Sequence, residues 1–380
     1  MRSFPAVRIS SSMSSPPRSL CVIRLSAIGD CCHALPVVQA IRSAWPETRI
    51  TWIIGQVEHS LLEGLTGVDF LVLDKRAGRR GMRELKEKLK ARRFDLLLQM
   101  QDSLRASRVA LMTGCRRRVG FDRRRARDIQ WLFTTERIAH RPRQHVMEAL
   151  FGFAEHLGIE RPAAPRWDFP LGAEDLQAAA RMAPERPFCV MSPLSSQRRG
   201  AFRNWPAERY ASVARHVVEQ LGGEVLLTGS STSMERDYAA VIAAQPGVTD
   251  LNGRTTLKQL VALIGLARLV VCPDSGPAHL GAALGTRVVG LYAGSNPDRS
   301  GPWGNREFTV NRYPQAVLRS LGKGVDDISF GRRLRAGDVM NEIAVADVIE
   351  TVERAWALPG RNLQPRSPGS AEAREKTAPQ

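Results

Sequence analysis

Two stretches of this 380-residue chain carry side chains of the kinds that hold phosphate and move protons. One reads Cys272-Pro273-Asp274-Ser275-Gly276-Pro277-Ala278-His279. An apolar run at 269–272 is cut by Pro-Asp-Ser-Gly, and a small apolar segment, 278–284, follows. A buried strand therefore hands over to a helix. There the helix's unpaired N–H groups and positive end face outward, which suits a phosphate at Ser275 and Gly276. Asp274 adds a carboxylate at the strand's C-terminal end, where open α/β sheets bind ligands. His279 lies in the helix's first turn. Any strand–helix turn of an α/β protein has this spacing, so the spacing alone does not decide for phosphate. In the other stretch, Asp30 stands at the mouth of a loop, 26–30, between a strand and a helix. It can cap the helix or take a proton from a ligand hydroxyl, and capping is the commoner use of Asp there.

The elements around these stretches follow one pattern. Strand 20–25, helix 31–45 and strand 50–54 make a βαβ unit, with Leu35, Val38 and Ile41 at helical spacing. Strands 68–73 and 94–99 flank a basic helix, 79–93, and an amphipathic helix spans 151–157. Segment 160–185 holds Pro-Ala-Ala-Pro and Met-Ala-Pro-Glu and reads as a linker with a short helix. A second series then begins. Its strands are 188–191, 224–227, 248–251, 269–272 and 288–291, and its helices include 257–266 and 345–357. Pro277 suits an opening helical position and Gly285 ends that helix. The fold class is α/β, two tandem parallel-sheet domains with a ligand in the cleft between them.

Composition narrows the partner. The net charge is +17, which points to a polyanion: nucleic acid, an anionic membrane surface or a phosphorylated substrate. The densest charge is Arg116-Arg117-Arg118 and Arg123-Arg124-Arg125 with Arg127. Only Phe121 and Trp131 are interleaved there, whereas single-strand nucleic-acid surfaces offer stacking rings. A solvated basic face explains the run equally well. Six scattered cysteines show no zinc spacing and fit a reducing compartment. No carboxylate cluster for a divalent metal is evident, and no apolar run reaches transmembrane length. Arg24 interrupts the only stretch that could be a signal core, so the chain reads as cytoplasmic. No G-x-G-x-x-G follows a strand and no Walker A occurs, which disfavours a simple dehydrogenase or NTPase.

Four pieces coincide in order: Arg24-Leu25-Ser26-Ala27-Ile28-Gly29-Asp30 with His33 and Pro36; Arg203-Asn204-Trp205-Pro206; Gly229 followed by Glu235; and 272–279. Together they resemble the ADP-heptose:lipopolysaccharide heptosyltransferases of glycosyltransferase family 9, over roughly 20–357. The resemblance implies a GT-B fold, two Rossmann-like domains facing a cleft, and inverting, metal-independent transfer of a heptose onto the lipopolysaccharide inner core. It implies that Asp30 is the base and that Arg203 neutralises the donor diphosphate. Many members have Lys at that place, and Arg keeps the charge with another geometry. On the donor side it implies Ser195 and Ser196 at phosphate, Glu235 at ribose, and Thr255 and Leu257 by the adenine. Asp274 would face the donor sugar, with Ser275, Gly276 and His279 beside the diphosphate. On the acceptor side stand Ser26, His33, Gln101, Arg105, Arg123 and Arg124.

No cofactor beyond the ADP-heptose donor is expected. The implied partners are the nucleotide sugar, a lipopolysaccharide precursor of lipid A–Kdo type and the anionic inner-membrane surface, reached peripherally from the cytoplasm; nucleic acid is not expected. The expected layout is a disordered 1–18, an acceptor domain 19–165, a linker 166–186, a donor domain 187–344, a helix 345–357 and a disordered 358–380. The alternatives are a family-like transferase with another nucleotide sugar and, in a different class, a nucleic-acid-binding protein using 116–127.

Overall fold

The computed structural model describes residues 15–195 and 202–359. The first half runs β1 (Ser19–Ile23), α1 (Ile28–Ala44), β2 (Arg49–Gly55), α2 (Gln56–Leu62), β3 (Val68–Leu73), α3 (Gly78–Lys90), β4 (Leu96–Gln99), α4 (Leu104–Met112), β5 (Arg118–Gly120), β6 (Glu136–Arg137) and α5 (Val146–His156). The second opens with α6 (Ala173–Met182), then β7 (Phe188–Met191), α7 (Ala207–Glu219), β8 (Glu224–Leu227), α8 (Ser233–Ile242), β9 (Val248–Asp250), α9 (Leu257–Leu266), β10 (Leu269–Pro273), α10 (Gly276–Leu284) and β11 (Arg287–Tyr292). It closes with α11 (Pro297–Ser300), β12 (Thr309–Asn311), α12 (Tyr313–Leu321) and α13 (Val345–Ala357).

Each half holds a six-stranded parallel sheet, ordered β3-β2-β1-β4-β5-β6 and β12-β11-β10-β7-β8-β9. The two orders are the same doubly wound topology. Central strands such as β4 and β10 are buried along their whole length, which is why they read as unbroken apolar runs. Strand order reverses between β1 and β4 and again between β7 and β10. Those two reversals mark where side chains at the strands' C-terminal ends meet a ligand.

The halves are joined by packing as well as by chain. α1 packs on α10 and α2 on α9. One apolar cluster runs from Leu35 and Val38 of α1 to Ala278 and Leu280 of α10. Lys258 Nζ reaches across to the Glu63 carbonyl at 2.8 Å. In the connecting segment, Trp167 Nε1 donates to the Cys32 carbonyl at 2.8 Å. α13 belongs to the second core through Val348, Val352 and Trp356.

Three boundaries differ from the sequence reading. α1 starts at Ile28 rather than 31, which puts Asp30 inside its first turn. α5 starts at Val146 rather than 151, because His145 and Glu148 form a capping box. The leading segment is ordered closer to the start than expected: Thr48 Oγ1 donates to the Pro17 carbonyl at 2.7 Å and Arg49 N–H to Arg18 at 3.0 Å.

Candidate active site

The first wall of the cleft is built at the end of β1. Arg24 Nη2 lies 2.5 Å from Asp30 Oδ1, and its Nη1 donates to the Met100 carbonyl. Asp30 Oδ2 accepts from the Ala27 N–H at 3.0 Å. The N-cap of α1 is Ala27, so Asp30 is the third helical residue, reaching back to the Ala27 N–H, and at once the partner of a buried arginine. Its side chain stays 40% exposed, so a ligand hydroxyl can still reach it. Burial raises the Asp30 pKa, but the charge of Arg24, the bonds from Ala27 and Arg24, and the nearby His279 lower it by more. The carboxylate sits below its ordinary range and is ionised at neutral pH. Gln101, at the end of β4, holds the loop in place. Its Oε1 accepts from Leu25 N–H at 2.7 Å, and its Nε2 donates to Ser103 Oγ at 3.2 Å and to Ser26 Oγ at 3.5 Å.

The opposite wall is built at the end of β10. Arg203 Nη1 donates to the Asp274 carbonyl at 2.7 Å and to its Oδ2 at 3.1 Å. Arg203 Nε is buried and has no partner among the described residues, so within them the fork is only partly used. Asp274 Oδ1 lies 3.8 Å from His279 Nε2. Burial lowers the His279 pKa, against the pull of Asp274 and then Asp30. His279 thus feels the charge of a carboxylate from each half. Ser275 occupies the N-cap of α10, yet its hydroxyl donates back to Pro273 at 3.1 Å and caps nothing. Among the described residues, no side chain takes the first N–H groups of α10, a place suited to a ligand anion.

The remaining donor-side residues line the C-terminal edge of the second sheet. Ser195, 6% exposed, gives both its N–H and its hydroxyl to Asn204 Oδ1, at 3.0 and 3.2 Å. Ser196 lies outside the described residues. Glu235 closes the capping box of α8, accepting from Ser230 N–H at 2.7 Å and from Thr232 Oγ1 at 2.6 Å. Leu257 opens α9 beside Thr255, after the capping residue Thr256. The ends of β7, β8, β9 and β10 bring these residues to one edge.

The acceptor-side expectations fare unevenly. His33 is 3% exposed, and both its ring nitrogens lack partners. Its ring packs edge-on against His279 at 4.4 Å and His145 at 5.4 Å. The ring therefore takes part in the packing between the halves, and its contact with an acceptor is a proposal only. Arg105 is exposed and lines a cavity of about 500 Å³ with Lys75, Arg79 and Arg108. Arg123 is exposed over the Trp131 ring at 4.5 Å, and Arg124 is exposed beside it. Others of the run serve the fold: Arg125 holds Asp122, Gln144 at 2.8 Å and the Ala139 carbonyl at 2.6 Å. Arg117 pairs with Glu136 at 2.8 Å, and Arg118 donates to the Phe133 carbonyl at 2.6 Å. The run is not one free basic face.

Sequence reasoning named Arg24 as a break in an apolar stretch and as the first residue of a motif, gave it no role beside Asp30, and passed over His145. The His145 Nδ1 accepts from Met147 N–H at 3.2 Å and its Nε2 donates to the Gly301 carbonyl at 2.9 Å. Burial holds its pKa down at about 4. The His145-x-x-Glu148 spacing was the available signal. Among the described residues, no three His, Cys, Asp or Glu side chains converge as a metal site requires. No described helix is long and apolar enough to cross a membrane.

Three comparisons bear on this cleft. Residues 82–320 match the model of glycosyltransferase family 9 (heptosyltransferase). The chain is 37% identical over 341 residues to the lipopolysaccharide core heptosyltransferase OpsX of Haemophilus influenzae, covering 89% of this chain and 97% of that one. Its fold is shared with a family 9 glycosyltransferase from Veillonella parvula, at TM-score 0.71 and 21% identity, covering 89% and 97% of the two chains. It is shared too with E. coli heptosyltransferase WaaC solved with ADP, at TM-score 0.67 and 18% identity, covering 89% and 99%.

Proposed function

The chain belongs to glycosyltransferase family 9, and on that footing we propose that it moves a heptose from ADP-heptose onto the lipopolysaccharide inner core. The observation that carries the proposal is the packing of the Asp30 turn of one half on His279 of the other, whose ring lies against Gly29 and 3.8 Å from Asp274. A base thereby faces a donor site across a cleft.

In the proposed reaction an acceptor hydroxyl lies against the exposed edge of Asp30. Asp30 takes its proton as the oxygen attacks the anomeric carbon. The bond from that carbon to the diphosphate oxygen breaks, and ADP leaves with the electron pair. Attack opposite the leaving group inverts the anomeric centre. The departing charge is met by the N–H groups of α10 at Ser275 and Gly276 and by the charge of the Arg203 guanidinium. Asp274 faces the donor sugar and holds Arg203 in place meanwhile. Glu235, Thr255 and Leu257 lie where the ribose and adenine would extend along the sheet edge. The positive charge the diphosphate needs comes in this scheme from the protein, so metal-independent transfer is part of the proposal.

The acceptor enters from the first half, past Arg105, Arg123 and Arg124, whose exposed charge also suits an anionic membrane surface. Peripheral attachment to the cytoplasmic leaflet is proposed on that ground. The internal use of Arg117, Arg118 and Arg125 removes much of what favoured a nucleic-acid partner. The division at 166–186 into acceptor and donor domains is likewise proposed. Mass spectrometry of lipopolysaccharide from a deletion strain tests the function. A core lacking one heptose and all that is built on it is expected; an intact core would refute the proposal.

A further inference from the structure

We propose that Arg299 and Arg333, with Arg127 facing them from the first half, form an anion site at the cleft mouth that takes the negatively charged substituent of the acceptor sugar. The inference rests on the reading of the cleft as a sugar-transfer site.

Both C-terminal arginines stand on anchored backbone. Arg299 belongs to α11, where Asn296 Oδ1 accepts from Asp298 N–H at 3.0 Å and Asn296 Nδ2 donates to the Phe330 carbonyl at 3.3 Å. The next two residues are tied as well: the Tyr292 hydroxyl donates to Ser300 at 3.2 Å, and His145 Nε2 to Gly301 at 2.9 Å. Arg333 lies between two similar ties. The Tyr313 hydroxyl donates to the Arg332 carbonyl at 2.8 Å, and Leu334 N–H donates to Gly294 at 2.9 Å. Such bases fix where the side chains start.

Two of the side chains, those of Arg299 and Arg127, converge on one glycine. Arg299 and Arg127 both lie against Gly331: a Cβ built there would stand 3.1 Å from Arg299 Nε and 3.5 Å from an Arg127 terminal nitrogen. Two guanidiniums from opposite halves thus crowd one glycine. Among the described residues, no hydrogen bond or ion pair holds the guanidinium of Arg299 or Arg333. Arg127 reaches Asp102 only at 4.0 Å. Burial first, then Arg127 and Arg333, depress the Arg299 pKa, while Asp30 and Asp102 oppose them. Converging cations that repel one another gain most from an anion placed among them.

The location favours the acceptor. The donor diphosphate has α10 and Arg203 to receive it, whereas Arg127 belongs to the acceptor half and Asp30 and Asp102 of that half act on Arg299; Arg333 feels Asp274 and Arg203 first and then Asp30, so it borders the donor side of the site. An acceptor carboxylate or phosphate held here would turn the attacking hydroxyl toward Asp30.

Calorimetry on the full chain tests this with two probes, a deacylated inner-core oligosaccharide and ADP. Arg299→Gln should weaken oligosaccharide binding about tenfold or more, leave ADP affinity near the parent value, and leave the melting temperature unchanged. Arg299→Lys should recover most of the loss. Carboxyl-reduced and dephosphorylated oligosaccharides tell which anion is held, because the form lacking it should bind the parent and Arg299→Gln alike. Because binding is read directly, loss of heptose transfer by the parent would count against the proposed function and not against this site. Equal oligosaccharide affinity in parent and Arg299→Gln would overturn the inference. So would a comparable loss of ADP affinity, or no binding of the oligosaccharide by the parent.

Discussion

Gly29 and His279 share one space across the cleft. A Cβ on Gly29 would collide with the His279 ring and stand 3.1 Å from its Nε2. The glycine beside the proposed base is thus a packing requirement set by a histidine some 250 positions away in sequence. The same approach lets Ile28 lie 3.5 Å from where a Gly276 Cβ would be. Gly29→Ala should therefore force the two walls apart and lower transfer by about tenfold or more. Adding His279→Ala to Gly29→Ala should restore melting temperature toward the parent. If Gly29→Ala melts and turns over like the parent, this contact does not set the cleft.

Arg24 sets the pH at which Asp30 is ready. Its charge helps hold the Asp30 pKa below the ordinary range, while burial pushes the other way. Arg24→Gln leaves burial with less opposition, so the Asp30 pKa rises. Because Asp30 works when ionised, the acid limb of the kcat/KM profile should move to higher pH. An acid limb at the parent's position in Arg24→Gln would mean that some other group sets it.

How much of this was legible in the sequence varied with the range of the interactions. Helices α9 and α13 were read to the residue, because Leu257–Leu266 and Val345–Ala357 carry strong local patterns. The Asp-Ser-Gly-x-x-His turn was legible for the same reason. The start of α1 was missed because Ile28 and Gly29 resemble a loop; the capping bond from Ala27 to Asp30 extends the helix. β5, β6 and β12 are two or three residues long, too short for alternation to register. The Arg203–Asp274 pair joins residues 71 positions apart, and Arg143–Asp326 joins residues 183 apart, so no window of sequence contains either. His33 is legible as a motif residue, whereas its burial against His279 and His145 depends on residues more than a hundred positions away.

Arg203 and Asp274 set the donor affinity together. Arg203→Ala removes the counter-charge for the diphosphate and leaves Asp274 buried without its cation. ADP affinity should fall about tenfold or more, and stability should fall as well. The double variant Arg203→Ala with Asp274→Asn separates the two effects: stability should return and ADP affinity should not. Full recovery of ADP affinity in the double variant would assign the loss to the stranded carboxylate alone.

The acceptor face can be probed only with residues that the fold does not use. Arg123 and Arg124 qualify, whereas Arg125 anchors Asp122, Gln144 and Ala139. Replacing Arg123 and Arg124 by Ser should raise the acceptor KM and weaken binding to anionic vesicles, most visibly at low salt. ADP affinity should hold. A fall in ADP affinity with no change in acceptor KM would reverse the assignment of the two halves.

The most direct measurement is the single-turnover rate of heptose transfer from ADP-heptose by Asp30→Asn, set beside its affinity for ADP. Asn keeps an oxygen for the Ala27 N–H, so the cap survives while the charge that takes the proton is lost. The base role predicts ADP affinity near the parent's and transfer slowed roughly a hundredfold or more. Transfer at the parent's rate would contradict it and leave Asp30 as the residue that ties Ala27 to the first turn of α1 and pairs with Arg24.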